Sequence, residues 1–184
     1  MPLPSALAFP VVAALLLAAC DPQDDAPPAA ATPAAAAANE GLVAHGEYIV
    51  RIAGCNDCHT EAYGRRGGDV AKAEWLTGSV LGYHGPWGTT YATNLRLTIA
   101  GLGEDEWVDY TSKLHTRPIM PDFMLRQMRE ADRRAIWHFV RALGPAGRKA
   151  PEALPPGVTP PMPYFQLVAP PPPAEAQNGQ KLET

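Results

Sequence analysis

The clearest hydrophobic pattern in the chain lies in the stretch READRRAIWHFVRALG. Its apolar residues recur at the i, i+3, i+4, i+7 spacing that places side chains on one face of an α-helix. They are Ile136, Phe139, Val140 and Leu143. A basic residue in the last turn, followed by Gly144 and Pro145, is typical of a helix end. The pattern therefore predicts an amphipathic helix that packs one face on a core.

Two further stretches predict helices. In GLVAHGEYIVRIAG, one stripe holds Leu42, His45 or Gly46, Ile49 and Ala53, and Gly54 ends the helix. GEDEWVDYTSKLHT begins with an acidic turn suited to a helix N-terminus and has Trp107, Tyr110, Thr111 and Leu114 at helical spacing. Residues 64–103 between these stretches are glycine-rich without strong strand alternation. We therefore predict an all-α fold, with a loop long enough to wrap a functional group.

The N-terminal residues have the composition of an export signal. The apolar run from Leu7 to Ala19 has the length of a secretory signal peptide, which we assign to residues 1–19. It ends in LAAC, which resembles a bacterial lipobox and predicts a lipidated Cys20. The alternative is an ordinary secreted protein cut near Ala19. We expect the protein on the periplasmic side of a bacterial membrane, held by a lipid anchor, or alternatively soluble in the periplasm.

Composition divides the rest of the chain into three parts. After Cys20, residues 21–40 are rich in alanine and proline, lack large apolar side chains, and predict a disordered tether. Residues 41–150 form the predicted domain. Residues 151–184 form a proline-rich extension, in which the apolar segment 164–168 is expected to lie against the domain and the last dozen residues to be loose.

Charge excludes one class of partner. The net charge is −4, and residues 41–150 carry 12 acidic and 14 basic residues. Nucleic-acid binding is typical of a clustered basic face and a high isoelectric point. We therefore expect no nucleic-acid partner.

The most reactive motif is CNDCH, residues 55–59. A zinc site normally needs a second Cys or His pair, and the other histidines are single and scattered. A thioredoxin-like dithiol is typical of a βαβ context, whereas here a helix precedes the motif and a glycine-rich loop follows it. The remaining interpretation is covalent attachment of one haem c through Cys55 and Cys58, with His59 as the proximal iron ligand.

The second axial ligand decides what such a haem does. A methionine there closes the iron and gives an electron carrier, whereas an open iron admits oxygen, peroxide or small gases. The candidates are Met120, Met124, Met128 and Met162. Met120 lies between two prolines in TRPIMPDF, in a loop ahead of the last helix, and is our predicted ligand. Met124 is the next candidate, and Met128 is better explained by packing.

The order of these features resembles class I cytochrome c: a helix, CxxCH, a long loop, an MP pair and a terminal amphipathic helix, over residues 41–145. GEYIVRIAGCNDCHT, GPWGTTYATNLR and ADRRAIWHFVRALGPAG resemble a bacterial subgroup that serves periplasmic dehydrogenases. NLRLTIAG departs from the subgroup, which commonly has a Thr-Pro-Asp turn after the asparagine. Arg129 replaces the usual Ser or Thr cap of the last helix, which we expect to weaken it by about 1 kcal/mol.

The resemblance implies roles for further residues. The first and last helices are expected to cross, with Gly46 and Tyr48 against Trp137 and Phe139 as core. His59 is expected to donate its other ring nitrogen to a backbone carbonyl in the loop that follows. Three residues of that loop are candidates for contact with the haem propionates or the haem face: Trp87, Tyr91 and Asn94.

These expectations together predict an electron carrier rather than an enzyme. Its haem iron is ligated by His59 and Met120, and its partners are redox proteins: a periplasmic dehydrogenase as donor and an oxidase or another cytochrome as acceptor. The alternatives are a general lipoprotein shuttle between a quinol-oxidising complex and an oxidase, or a haem enzyme or gas sensor with an open iron. Arg65, Arg66 and Lys72 are candidates for the partner-facing edge.

Overall fold

The structure is a computed structural model and describes residues 32–168, so the predicted signal peptide, Cys20 and the last residues of the extension lie outside the described part. About half of it is helical. The helices are α1 (Pro33–Ile52), α2 (Cys55–His59), α3 (Leu95–Ala100), α4 (Glu104–Lys113), α5 (Asp122–Gln127) and α6 (Glu130–Leu143), with short 3-10 turns at Gly64–Arg66 and Lys72–Glu74. The strands are β1 (Gly82–Gly85), β2 (Gly88–Tyr91) and β3 (Tyr164–Gln166).

The first and last helices cross at a glycine. A Cβ atom built on Gly46 would lie 1.9 Å from the carbonyl oxygen of Ala135 and 2.7 Å from the Cβ of Phe139. Only a residue without a side chain allows the two backbones to approach so closely. Phe139 is buried as expected, and Trp137 packs beside the core, but Tyr48 is 55% exposed and lies away from the crossing.

Helix α1 begins earlier than the sequence pattern indicates. Thr32 caps it, accepting a hydrogen bond from the backbone of Ala35, and Pro33 occupies the first turn. Residues 33–40, predicted as part of the tether, are therefore helical. Alanine has the highest helix propensity, so this run extends the helix although its side chains remain exposed.

Helix α6 has the predicted buried face, with Ile136, Phe139 and Val140 each at most 3% exposed. At its start, Arg129 provides no side-chain cap and instead donates two hydrogen bonds to Asp132. At its end, the buried guanidinium of Arg96 donates to two backbone carbonyls of residues 143 and 144. The helix thus lacks the usual N-cap, but the carbonyls of its last residue and of its C-cap are satisfied from α3.

A three-stranded sheet makes the fold mixed rather than purely α-helical. Strands β1 and β2 form an antiparallel hairpin, and β3 from the C-terminal extension pairs in parallel with β1, in the order β2-β1-β3. The extension therefore lies against the domain through Tyr164–Gln166. The sequence did not indicate the hairpin, because β1 begins and ends with glycine and shows no apolar alternation.

One hydrophobic cluster lies between α1, α3, α4, α6 and the loop after α2. Its buried members are Val50, Val70, Trp75, Leu76, Ile99, Trp107, Ile136, Phe139 and Val140. The Trp107 indole donates to the carbonyl of Arg133 at 2.9 Å, so α4 is tied to α6 by a buried hydrogen bond. No helix among residues 32–168 is long and apolar enough to cross a membrane.

Candidate cofactor site

The CNDCH motif forms the short helix α2 directly after α1. Gly54 adopts a left-handed conformation (φ 66°), which allows the chain to turn between the two helices. One helical turn then brings both cysteines and His59 to the wall of the same cavity. The motif is therefore held on a helix packed next to the core rather than on a free loop.

The cavity has a volume of about 740 Å³. This value is within the range of roughly 300–1,000 Å³ that is typical of sites for cofactors and other small molecules. Cys55, Cys58, His59 and Met120 all border it, and apolar side chains of the core, such as Trp107 and Ile136, form much of its wall. The four residues that the sequence predicts as haem attachment points and iron ligands thus face one space.

The ring of His59 is fixed by a hydrogen bond from Nδ1 to the carbonyl oxygen of Thr93, at 2.7 Å. A carbonyl only accepts, so Nδ1 carries the proton and Nε2 keeps its lone pair. Burial lowers the pKa of His59 despite this hydrogen bond, so the ring is neutral at pH 7. A neutral imidazole with one nitrogen held by a backbone carbonyl is the usual form of a metal-ligating histidine.

The two cysteines do not resemble an activated redox dithiol. Both are free thiols, and burial raises the pKa of Cys55 to about 11. The reactive cysteine of a dithiol oxidoreductase instead has a lowered pKa. A zinc site is not supported either, because no group of three or more His, Cys, Asp or Glu residues within residues 32–168 could hold a metal ion.

Three methionines border the cavity: Met120, Met124 and Met128. Met120 is half-buried, Met124 is 42% exposed, and Met128 packs against the core. Met162 is 77% exposed and does not line the cavity. The choice between Met120 and Met124 as a ligand stays a prediction, whereas Met162 lies elsewhere.

The candidate propionate partners differ in their surroundings. Asn94 lines the cavity, but its carboxamide caps α3 and its NH2 group donates to the carbonyls of Ala146 and Arg148, so its hydrogen bonds are used within the protein. Tyr91 lines the cavity. Trp87 does not, although its indole nitrogen is buried without a hydrogen-bond partner in the described part of the chain.

None of the three cations proposed for the partner-facing edge borders the cavity. Lys72 pairs with Glu47 at 2.7 Å, and Arg66 lies 3.9 Å from Glu74. Arg65 is highly exposed. The cationic residues that do border the cavity are Arg117 and Lys149, which the sequence did not indicate.

The structure also adds an aromatic residue and a backbone segment to the site. Tyr83 of β1 is 8% exposed and lines the cavity, and burial together with contact to Cys58 raises its pKa. Residues 149–153 of the chain after α6 form a further part of the wall. A tyrosine in a glycine-rich strand and a proline-punctuated segment carry no periodic signal, so neither could be recognised from the sequence.

Comparison with known proteins found no matching family model, no matching curated protein and no matching solved structure. The assignment of function therefore depends on the residues and geometry of the site.

Proposed function

We propose that the protein is a monohaem c-type cytochrome of class I that transfers single electrons on the periplasmic side of a bacterial membrane. The observation that carries the proposal is that Cys55, Cys58, His59 and Met120 border one cavity of about 740 Å³. The CxxCH spacing is the motif by which haem c is attached. The function is that of an electron carrier, with no substrate bond made or broken.

The residues present fit a haem. Cys55 and Cys58 are free thiols on one helical turn, and are the residues that would hold the porphyrin by thioether bonds. His59 has a neutral ring whose Nε2 lone pair is available to iron. Met120, in the loop before α5, borders the same cavity and would supply a thioether ligand. When bound, the haem supplies an iron that cycles between the ferric and ferrous states.

The protein chain contributes orientation and exclusion of water. The Thr93 carbonyl accepts the Nδ1 hydrogen bond of His59 and so fixes the tautomer and the plane of the ring. Because this carbonyl belongs to the backbone, the direction of the Nε2 lone pair is fixed as well. Trp107, Ile136 and Val50 give the cavity an apolar wall, so charge in the site is poorly hydrated. A methionine ligand raises the reduction potential relative to a second nitrogen ligand.

The proposed partners follow from the export signal and the carrier role. A periplasmic dehydrogenase is the proposed donor, and an oxidase or another cytochrome the acceptor. Acylation at Cys20 would keep the carrier at the membrane surface, where it meets such partners. Rapid reduction of the purified protein by a dehydrogenase encoded beside it tests the donor. If no such enzyme, given its substrate, reduces the protein faster than a control without the enzyme, the result would favour the general shuttle.

One set of spectra tests the haem and its ligands. Protein matured in a periplasm is expected to give the pyridine haemochrome of thioether-linked haem, and its ferric form the methionine-to-iron charge-transfer band. Met120→Ala should abolish this band, and the matched Met124→Ala should retain it. A colourless protein contradicts the proposal as a whole, since it leaves a thiol or metal-binding module.

Two further results would keep the haem but revise the ligand or the function. Retention of the band in Met120→Ala together with its loss in Met124→Ala would move the ligand by four residues. Immediate binding of carbon monoxide by the native ferrous form would instead indicate an open iron, and with it the haem enzyme or gas sensor.

A further inference from the structure

The segment that carries Met120, residues 116–121, is called here the methionine loop. Most of its side chains are exposed, and Ile119 is 43% exposed, so packing alone does not fix it. Hydrogen bonds join the two ends of the loop to each other, because the backbone amide and the hydroxyl of Thr116 both donate to the Asp122 carboxylate. The position of the loop relative to the rest of the cavity therefore depends on hydrogen bonds to other elements.

Two side chains supply these hydrogen bonds. The hydroxyl of Thr90 on β2 donates to the carbonyl of Pro118 at 2.8 Å. The guanidinium of Arg117 donates through Nη1 to the carbonyl of Trp87, in the hairpin turn, and to that of Leu154, in the C-terminal extension, both at 3.0 Å. Arg117 thus joins the methionine loop to two separate segments, the hairpin turn and the C-terminal extension.

Leu154 is itself a fixed point. Its amide donates to the carbonyl of Thr89 at 2.9 Å, and the amide of Thr89 donates to its carbonyl at 3.0 Å. The extension is therefore pinned to β2 where Arg117 reaches it. Hydrogen bonds from a charged donor are stronger than those between neutral groups, and Arg117 is only three residues from Met120.

We propose that Arg117 is a positioning residue that holds Met120 at the cavity by locking the methionine loop to Trp87 and to the C-terminal extension. The inference rests on the proposed function, because it assigns a task to Arg117 only if Met120 binds the iron. It also gives the extension a role: Leu154 is the anchor against which the loop is held. Loosening this lock makes Met120 easier to displace without removing the haem.

The test measures displacement of the methionine by added imidazole in the ferric holoprotein. Arg117→Gln is expected to raise the apparent imidazole affinity about tenfold, equivalent to about 1.4 kcal/mol. Arg148→Gln is the matched control: it removes the same charge from the segment after α6, at a residue that does not line the cavity. The control is expected to stay within twofold of the wild type.

Arg117→Lys keeps the charge but has a single ammonium in place of the guanidinium fork, and we expect an intermediate affinity. It also provides the measurement if Arg117→Gln matures poorly. The inference would be overturned if Arg117→Gln bound imidazole no more tightly than Arg148→Gln. If Arg117→Lys is used in place of Arg117→Gln, the same comparison with Arg148→Gln applies.

One substitution in the full chain tests the anchor. Leu154→Pro removes the amide that donates to the Thr89 carbonyl and is itself expected to raise imidazole affinity. In this background Arg117→Gln should add less than it does in the wild type, because the contact of Arg117 with residue 154 is already weakened while its contact with Trp87 remains. Fully additive effects would refute the role of Leu154. Failure of the proposed function is distinguishable, because it appears in the wild type alone, as absence of thioether haem or of the methionine band, before any Arg117 variant is compared.

Discussion

The close crossing of α1 and α6 can be tested by replacing glycine with alanine at two positions of α1, one at the crossing and one away from it. Gly46→Ala adds a Cβ only 1.9 Å from a backbone oxygen of α6, where an ordinary contact begins near 3.4 Å. The oxygen belongs to the backbone and cannot rotate away, so the helices must move apart by about 1.5 Å, the difference between these distances. A gap of this size forfeits a large part of the packing energy around it.

Gly41 is the matched control. It lies in the same helix, and a Cβ there would meet nothing within 4 Å. Replacing glycine by alanine inside a helix gains about 1 kcal/mol at both positions. The difference between Gly46→Ala and Gly41→Ala therefore isolates the clash, which we place at about 3 kcal/mol, the upper end for overpacked sites.

The free energy of unfolding is measured by denaturant titration of the holoprotein, followed by far-ultraviolet circular dichroism. We expect Gly41→Ala to be about 1 kcal/mol more stable than the wild type and Gly46→Ala about 2 kcal/mol less stable, with unchanged denaturant slopes. A Gly46→Ala protein within 1 kcal/mol of Gly41→Ala would refute the close crossing.

Two other predictions concern charged residues that join elements. Hydrogen bonds from Arg129, and to a smaller extent from His45, lower the pKa of Asp132. Its carboxylate therefore stabilises the fold fully when the pH is above the unfolded-state pKa of about 3.9, and this contribution is lost as the pH falls through the lower folded-state pKa. Asp132→Asn should therefore be less stable than the wild type at pH 7, with a difference in unfolding free energy that shrinks below about pH 4; a difference independent of pH would contradict this. Arg96→Met removes the donors to three backbone carbonyls while keeping an unbranched apolar stem, and should cost about 3 kcal/mol in denaturant unfolding. A loss below about 1 kcal/mol would mean that these carbonyls find other partners.

The parts of the fold that the sequence predicted are those with long periodic patterns. The buried face of α6 followed directly from its apolar spacing, and α4 from its acidic first turn and buried Trp107. The buried stripe of α1 was placed less well, because Val50, which is fully buried, was not among the residues assigned to it. Helices α3 and α5 are six residues long, too short for a pattern to repeat.

The candidate site was predictable where its chemistry is local in sequence. Cys55, Cys58 and His59 stand within five residues, and the carbonyl that fixes His59 lies in the loop where it was expected. The rest of the cavity wall comes from distant segments. Tyr83, Arg117 and residues 149–153 join it through strand pairing and side-chain hydrogen bonds across the chain, which no single-sequence pattern encodes.

The position of the extension has a consequence for the order in which the pocket is completed. A ribosome delivers the chain from its N-terminus, so Cys55 to His59 and then Met120 emerge before residues 149–153. These residues form part of the cavity wall, so the wall is complete only once the segment after α6 has followed. The order of residues along the chain makes this part of the wall the last to be delivered.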